Sequence, residues 1–388
     1  MAQRRGKGEG SITQLRDGRW QARVTYWEDG RRKRKAFYGR TRREAQDKLR
    51  KALADLEAGL PLPDERVTVG EYLNLWLENT ARGSVRPSTY ESYARLVRLH
   101  IVPSIGKLRL ARLSPRHLTV LYREVMDKGL SPRTAQYIHA VLHRALRQAV
   151  RWNMIARNPA DLVDAPRPRR KEITPLTPEQ VRALLESAQG DRYEALYVLA
   201  VTTGLRLGEL LGLKWTDVDW ESGEIRVRRT LLRTANGLLQ QPTKSGKGRV
   251  VKLPTLAVDA LRRHRTRQSE ERSVAGQAWD DQGLIFPNQI GRPTDRQNLV
   301  RRSFKRLLAK AGLPDIRFHD LRHTSATLLL AQGVHPKVVQ ERLGHSNISV
   351  TLDIYSHVLP DLQKEAADQL DRVLAGDSDK HPRMQGQS

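Results

Sequence analysis

Between Trp20 and Trp27 the chain alternates. Trp20, Ala22, Val24 and Tyr26 stand between Gln21, Arg23, Thr25 and Trp27, the two-residue period of a half-buried strand. Asp17-Gly18 and Glu28-Asp29-Gly30 are turn signals on either side, and Arg31 to Tyr38 predicts a third strand with a charged face. At Thr41 the period changes. Thr41 to Glu44 has the form of a capping box, and Ala45, Leu49, Ala52/Leu53 and Leu56 recur at helical spacing until Gly59 stops the helix. Beyond the linker Leu60-Pro61-Leu62-Pro63, a second capping box, Thr68 to Glu71, opens a helix. Ser88 to Glu91 is expected to cap the next, and Ser114-Pro115 and Ser131-Pro132 each set a cap before a proline in the first turn. Four or five helices and no strand are expected between about 66 and 160. The stretch 165–171 is a proline-stiffened cationic linker, and Thr177-Pro178-Glu179-Gln180 starts a third region. That region reads as mostly helical, with a strand pair around Gly223–Arg229 and Gly248–Lys252. The expected fold is multidomain and mainly α with small β-sheets. Three strands and a helix fill 1–60, a helical domain 64–165, a mixed α+β domain 172–375, and a disordered tail 376–388.

Composition narrows the chemistry. In 388 residues no apolar run approaches the ~18 that a membrane helix needs, and nothing at the N-terminus resembles a secretory signal. A cytoplasmic protein that binds no membrane is expected. With 0 cysteines, disulfides, thiolate metal sites and cysteine nucleophiles are excluded. The net charge is +26, and residues 1–51 alone hold 17 Lys and Arg against 6 Asp and Glu. Such an excess repels itself unless a polyanion shares it, and nucleic acid is the usual one. The cations Arg19, Arg23, Arg31, Arg32, Lys33, Arg34 and Lys35 on the N-terminal strands are candidate contacts, and so are Arg95, Arg133 and Arg144 on the helices of the second region.

The third region carries a constellation that composition does not explain. Thr202-Thr203-Gly204-Leu205-Arg206-Leu207-Gly208-Glu209 places an arginine at a helix break and a carboxylate three residues on, where the two can pair. His319-Asp320-Leu321-Arg322-His323 follows; on a helix, positions 319, 322 and 323 share a face. Leu343-Gly344-His345 then stands ten residues before Tyr355. Each residue alone has an ordinary reading. Arg206 could be a surface ion pair and Tyr355 a half-buried tyrosine. His319 and His323 have zinc-helix spacing, but Asp320 stands where that motif has glutamate and no third ligand is evident, so no metal site is expected. Their joint occurrence overturns those readings.

The set resembles the tyrosine recombinases of the phage-integrase family. The resemblance implies a tyrosine-recombinase catalytic domain in the third region, a core-DNA-binding domain in the second and an arm-binding domain in the first. It implies Tyr355 as the nucleophile, Arg206 and Arg322 as donors to the non-bridging phosphate oxygens, His319 as proton acceptor and His345 as phosphate hydrogen-bond donor. Glu209 would orient Arg206, and His323 would support the site. A lysine on the stretch Pro242–Arg249, read as a hairpin, would protonate the leaving oxygen. Lys244 is the better match, and Lys247 is the alternative. Further implications are a 3′-phosphotyrosine intermediate without ATP, metal or other cofactor, a homotetramer on double-stranded DNA with core and arm attachment sites, an excisionase and a host DNA-bending protein as accessory partners, and work at the nucleoid of a bacterial cell. A type IB-like topoisomerase and a DNA-binding regulator remain as other readings. The helix Asp361–Leu374 is expected to dock on a neighbouring protomer.

Overall fold

The computed structural model describes residues 10–28, 30–62, 64–168, 174–234, 237–242, 248–345, 347–349, 351–352, 367, 370, 371 and 374. The expected helix Asp361–Leu374 lies almost wholly outside them, and so does the tail 376–388. Two compact units divide the chain, Met1–Arg170 and Lys171–Ser388.

The first unit begins with an antiparallel meander in the order β1-β2-β3: Ser11–Gln14, Trp20–Glu28 and Arg31–Gly39. Helix Arg42–Glu57 covers one face of it, so Ala22 and Val24 are buried against Ala45, Leu49 and Ala52. Thr41 caps that helix as expected, but the other half of the box differs: Glu44 accepts from the Arg40 amide (2.9 Å). Strand pairing splits the basic run between two faces. Arg34 and Arg32 lie opposite Thr25 and Trp27 on the open face, whereas Lys35 and Lys33 lie opposite Val24 and Tyr26. Lys35 rests its ammonium 6.0 Å from the Phe37 ring centre, and Arg19 is paired with Asp17 at 2.6 Å. Trp27 is 72% exposed on the open face.

The rest of this unit is helical, as expected. Helix Val69–Trp76 runs through a π turn, Leu77–Ala81, and Pro87–Leu96 through another, Val97–Ile101, followed by Pro115–Asp127 and Pro132–Arg151. Their apolar stripes meet in one core around Tyr72, Trp76, Ile101, Leu118, Leu121, Ile138 and Leu142, each burial contributing roughly 1.5–3 kcal/mol. The expected cap at Ser88 is corrected: Arg86 is the N-cap and Pro87 takes the first turn, because proline's fixed φ and missing N–H suit the position. Arg95, Arg133, Arg144, Arg147 and Arg151 are all exposed, Arg133 lying over the Tyr137 ring and Arg144 over that of Tyr93.

In the second unit the apolar run becomes helix Glu194–Thr203, buried on every side and packed against helices Thr255–Ala275 and Asp320–Ala331. The expected strand pair is present as β5 (Glu224–Val227) and β8 (Arg249–Lys252), joined by β4 (Val218–Asp219) in the order β4-β5-β8. A separate hairpin pairs β6 (Arg229–Thr234) with β7 (Gly237–Pro242). The expected hairpin Pro242–Arg249 lies mostly outside the described residues; its two ends, Pro242 in β7 and Arg249 in β8, belong to different sheets. Lys244 and Lys247 lie outside the described residues.

Candidate active site

Four elements bring the singled-out residues together. Helix Glu194–Thr203 ends at Gly204 in the left-handed region (φ +63°), which turns the chain so that Arg206 caps helix Leu207–Leu211. Arg206 donates from Nη1 to Glu209 Oε1 (2.8 Å) and from Nη2 to the Gly344 carbonyl (3.3 Å). His319 stands at the N-cap position of helix Asp320–Ala331, its side chain making no capping hydrogen bond, and the first turns carry Arg322 and His323. Helix Pro336–Leu343 ends at Gly344, again left-handed (φ +68°), and presents His345.

Arg322 is 3% exposed and forms no ion pair among the described residues. Its Nη1 donates to the Gly204 carbonyl (2.8 Å) and its Nε to His345 Nε2 (3.3 Å); Nη2 is buried with no partner among the described residues. Burial first, and then the charge of Arg206, push this guanidinium down to about 9. It remains a cation at neutral pH.

The imidazoles are neutral. Burial, the Arg322 and Arg206 charges and the other two rings push His345 down to about 3. Burial, then His323 and the two arginines, push His319 down to about 4. His345 Nδ1 lies 2.8 Å from Thr351 Oγ1; since Nε2 accepts from Arg322, Nδ1 carries the proton. The rings of His319 and His323 meet edge-on at 5.2 Å. Asp320 is turned away into an ion pair with Arg317 (2.7 Å). Among the described residues no group of three His, Asp or Glu could hold a metal. Among the described residues no helix is long and apolar enough to cross a membrane.

Two arginines absent from the sequence reading belong to the cluster. Arg249, the first residue of β8, donates from Nη2 and Nη1 to Glu209 Oε2 (2.7 Å) and Oε1 (3.3 Å). Arg342 donates to the Thr202 carbonyl at 3.0 Å. Burial raises the Glu209 carboxyl, but the Arg249 hydrogen bond and the charges of Arg249 and Arg206 outweigh it and hold the group below its ordinary range. The pairing was hidden because Glu209 and Arg249 are 40 positions apart and no local period links them. Tyr355 lies outside the described residues.

Two cationic forks and two neutral imidazoles, held against one another by backbone carbonyls, form a receptor for a phosphate-like anion and a place for proton transfer beside it. The sequence agrees with that class. Residues 175–361 match the phage integrase family, and 68–126 match the phage integrase N-terminal SAM-like domain. A tyrosine recombinase XerC-like protein of Caldanaerobacter subterraneus subsp. tengcongensis is 34% identical, over 89% of this chain and 94% of that one. An integrase of Streptomyces ambofaciens is 32% identical, over 92% and 94%. Among solved structures, the Tn1549 transposon integrase in complex with transposon right end DNA is similar with a TM-score of 0.67 and 27% identity, over 78% of this chain and 99% of that one. The chain belongs to the phage integrase family of tyrosine recombinases.

Proposed function

We propose that this protein is a site-specific DNA recombinase that integrates or excises a mobile element by cutting and rejoining strands through a 3′-phosphotyrosine. Arg206 and Arg322 donate to the two non-bridging oxygens of the scissile phosphate, where negative charge builds as the bond breaks. Tyr355 attacks and gives its proton to His319, whose pKa the phosphate dianion-like transition state raises; a free phenol titrates at about 10, so a base is needed. The leaving 5′-oxygen takes a proton from Lys244, with Lys247 as the alternative. His345 donates to the phosphate from Nε2 once Arg322 releases that nitrogen and it takes up a proton, which the bound anion favours by raising the ring's pKa. The ester keeps the energy of the broken bond, so religation needs no ATP.

Arg322 is the observation that carries this reading. A buried guanidinium next to another guanidinium, with a donor left over and no carboxylate of its own, is costly unless an anion completes it. Strand exchange between two duplexes takes four such sites, hence a homotetramer on core DNA. In the same reading the open face of β2 and β3, with Arg23, Arg32, Arg34 and Trp27, contacts arm-type sites, and Arg95, Arg133 and Arg144 contact the core site. An excisionase and a host DNA-bending protein would set direction.

The test is a nicked duplex built from the sequence that the full-length chain selects from a random pool. The wild-type chain is expected to form a covalent adduct whose peptide map places the ester on Tyr355, and Tyr355→Phe to bind the duplex without forming it. An ester on another side chain, or no adduct at all, ends the proposal.

A further inference from the structure

Arg249 enters the cluster from a different sheet and touches three parts of it. It grips both oxygens of Glu209, and its Nε donates to the Arg342 carbonyl at 3.0 Å. Its guanidinium also lies close against Gly344: a Cβ there would stand 2.9 Å from Arg249 Nη1 and 3.0 Å from Cζ. Only glycine admits that approach. The two groups that Arg249 fixes, Glu209 and the Arg342–His345 turn, are the two that hold Arg206: Glu209 takes its Nη1 and the Gly344 carbonyl its Nη2.

We propose that Arg249 is a positioning residue for the recombination chemistry, a brace that sets Arg206 and His345 at the scissile phosphate by clamping Glu209 and the Gly344 turn. The proposal rests on the recombinase reading above. Two other roles fit less well. As a phosphate contact it is poorly placed, since Nε, Nη1 and Nη2 each already donate within the protein and the side chain is 14% exposed. An ion pair alone does not account for it either, because Glu209 already has Arg206 and a further cation here crowds Arg206 and Arg322. A lysine could not replace it: one ammonium nitrogen cannot span the carboxylate and the Arg342 carbonyl as a planar fork does.

Lysine at this position therefore separates charge from geometry. Full-length Arg249→Lys is expected to melt near the wild type and to bind the selected duplex within about threefold. Its single-turnover cleavage of the nicked duplex, at saturating DNA, should fall about 10²-fold, the effect of a displacement near 1 Å. Its crystal structure should show the Arg206–Gly344 contact broken or lengthened. Cleavage within about threefold of wild type, or affinity falling as far as the rate, overturns the proposal. If Arg249→Lys does not fold, the pair Glu209→Gln with Arg249→Gln leaves a neutral hydrogen-bonded couple in its place; the same loss of rate is expected, and full activity overturns the brace. Should wild-type protein form no adduct, the recombinase reading fails, while the crystal structures still decide on their own whether Arg249 sets the position of Arg206.

Discussion

Glu209→Gln removes the charge from a carboxylate that is 2% exposed and accepts four hydrogen bonds, two from Arg206 and two from Arg249. Breaking a buried pair by removing one partner costs about 3–5 kcal/mol, most of it from the cation left without a counter-charge. Here two cations are left. The Arg206 side chain is 35% exposed and regains water, whereas the Arg249 side chain is 14% exposed and does not. The loss therefore belongs at the low end, about 3 kcal/mol. For a unit of this size, 1 kcal/mol moves the melting temperature by about 2–4 °C, so a fall of about 6–12 °C is expected by calorimetry at pH 7. The sign of the pH dependence follows from the depressed carboxyl. Its stabilisation is complete above the ordinary value of 4.5 and is lost as pH falls toward the folded-state value, so the gap between wild type and variant must narrow below about pH 4. A fall of less than about 2 °C at pH 7, or a gap that widens in acid, refutes the assignment of Glu209 as the charged centre of the cluster.

Gly204→Ala combines a left-handed backbone with a Cβ 2.3 Å from Leu343 Cδ2, and should cost about 2–4 kcal/mol in denaturant titration; a loss under about 1 kcal/mol would mean the site relaxes freely. Because His345 is held near 3 when folded and is ordinary when unfolded, the unfolded chain binds the extra proton between about pH 6 and 4. His345→Asn should therefore lower the slope of stability against pH in that window by about 1.4 kcal/mol per unit, and an unchanged slope contradicts its burial as a neutral ring. Binding of the full chain to a ~30-base-pair duplex should weaken by at least ~10²-fold between about 50 and 200 mM salt, and a flat titration refutes the electrostatic reading of the +26 charge.

Local signals carried much of this protein. Thr68, Ser131 and Thr177 cap helices where the sequence put them, because a cap needs only its own third residue and a following proline or stripe. Arg206 and Glu209 pair because three positions span one turn. Ser88 misled because Pro87 is as strong a start signal one residue earlier. Arg249 and Arg342 could not be read, since their partners are brought near only when β8 and helix Pro336–Leu343 meet helix Leu207–Leu211. The β6–β7 hairpin escaped for a different reason: the family resemblance places the hairpin at Pro242–Arg249, and that reading takes in no pair between Arg229 and Pro242.

Gly204 and Gly344 hold the two guanidinium groups by peptide oxygens. A grip made of amide dipoles has no proton to gain and no counterion to lose, so acid and brine that loosen ion pairs elsewhere leave it untouched. It also has no side chain through which substitution could gradually weaken it. Substitutions around these two arginines therefore act on that grip through where they leave the main chain, as the brace from Arg249 to the Gly344 turn does.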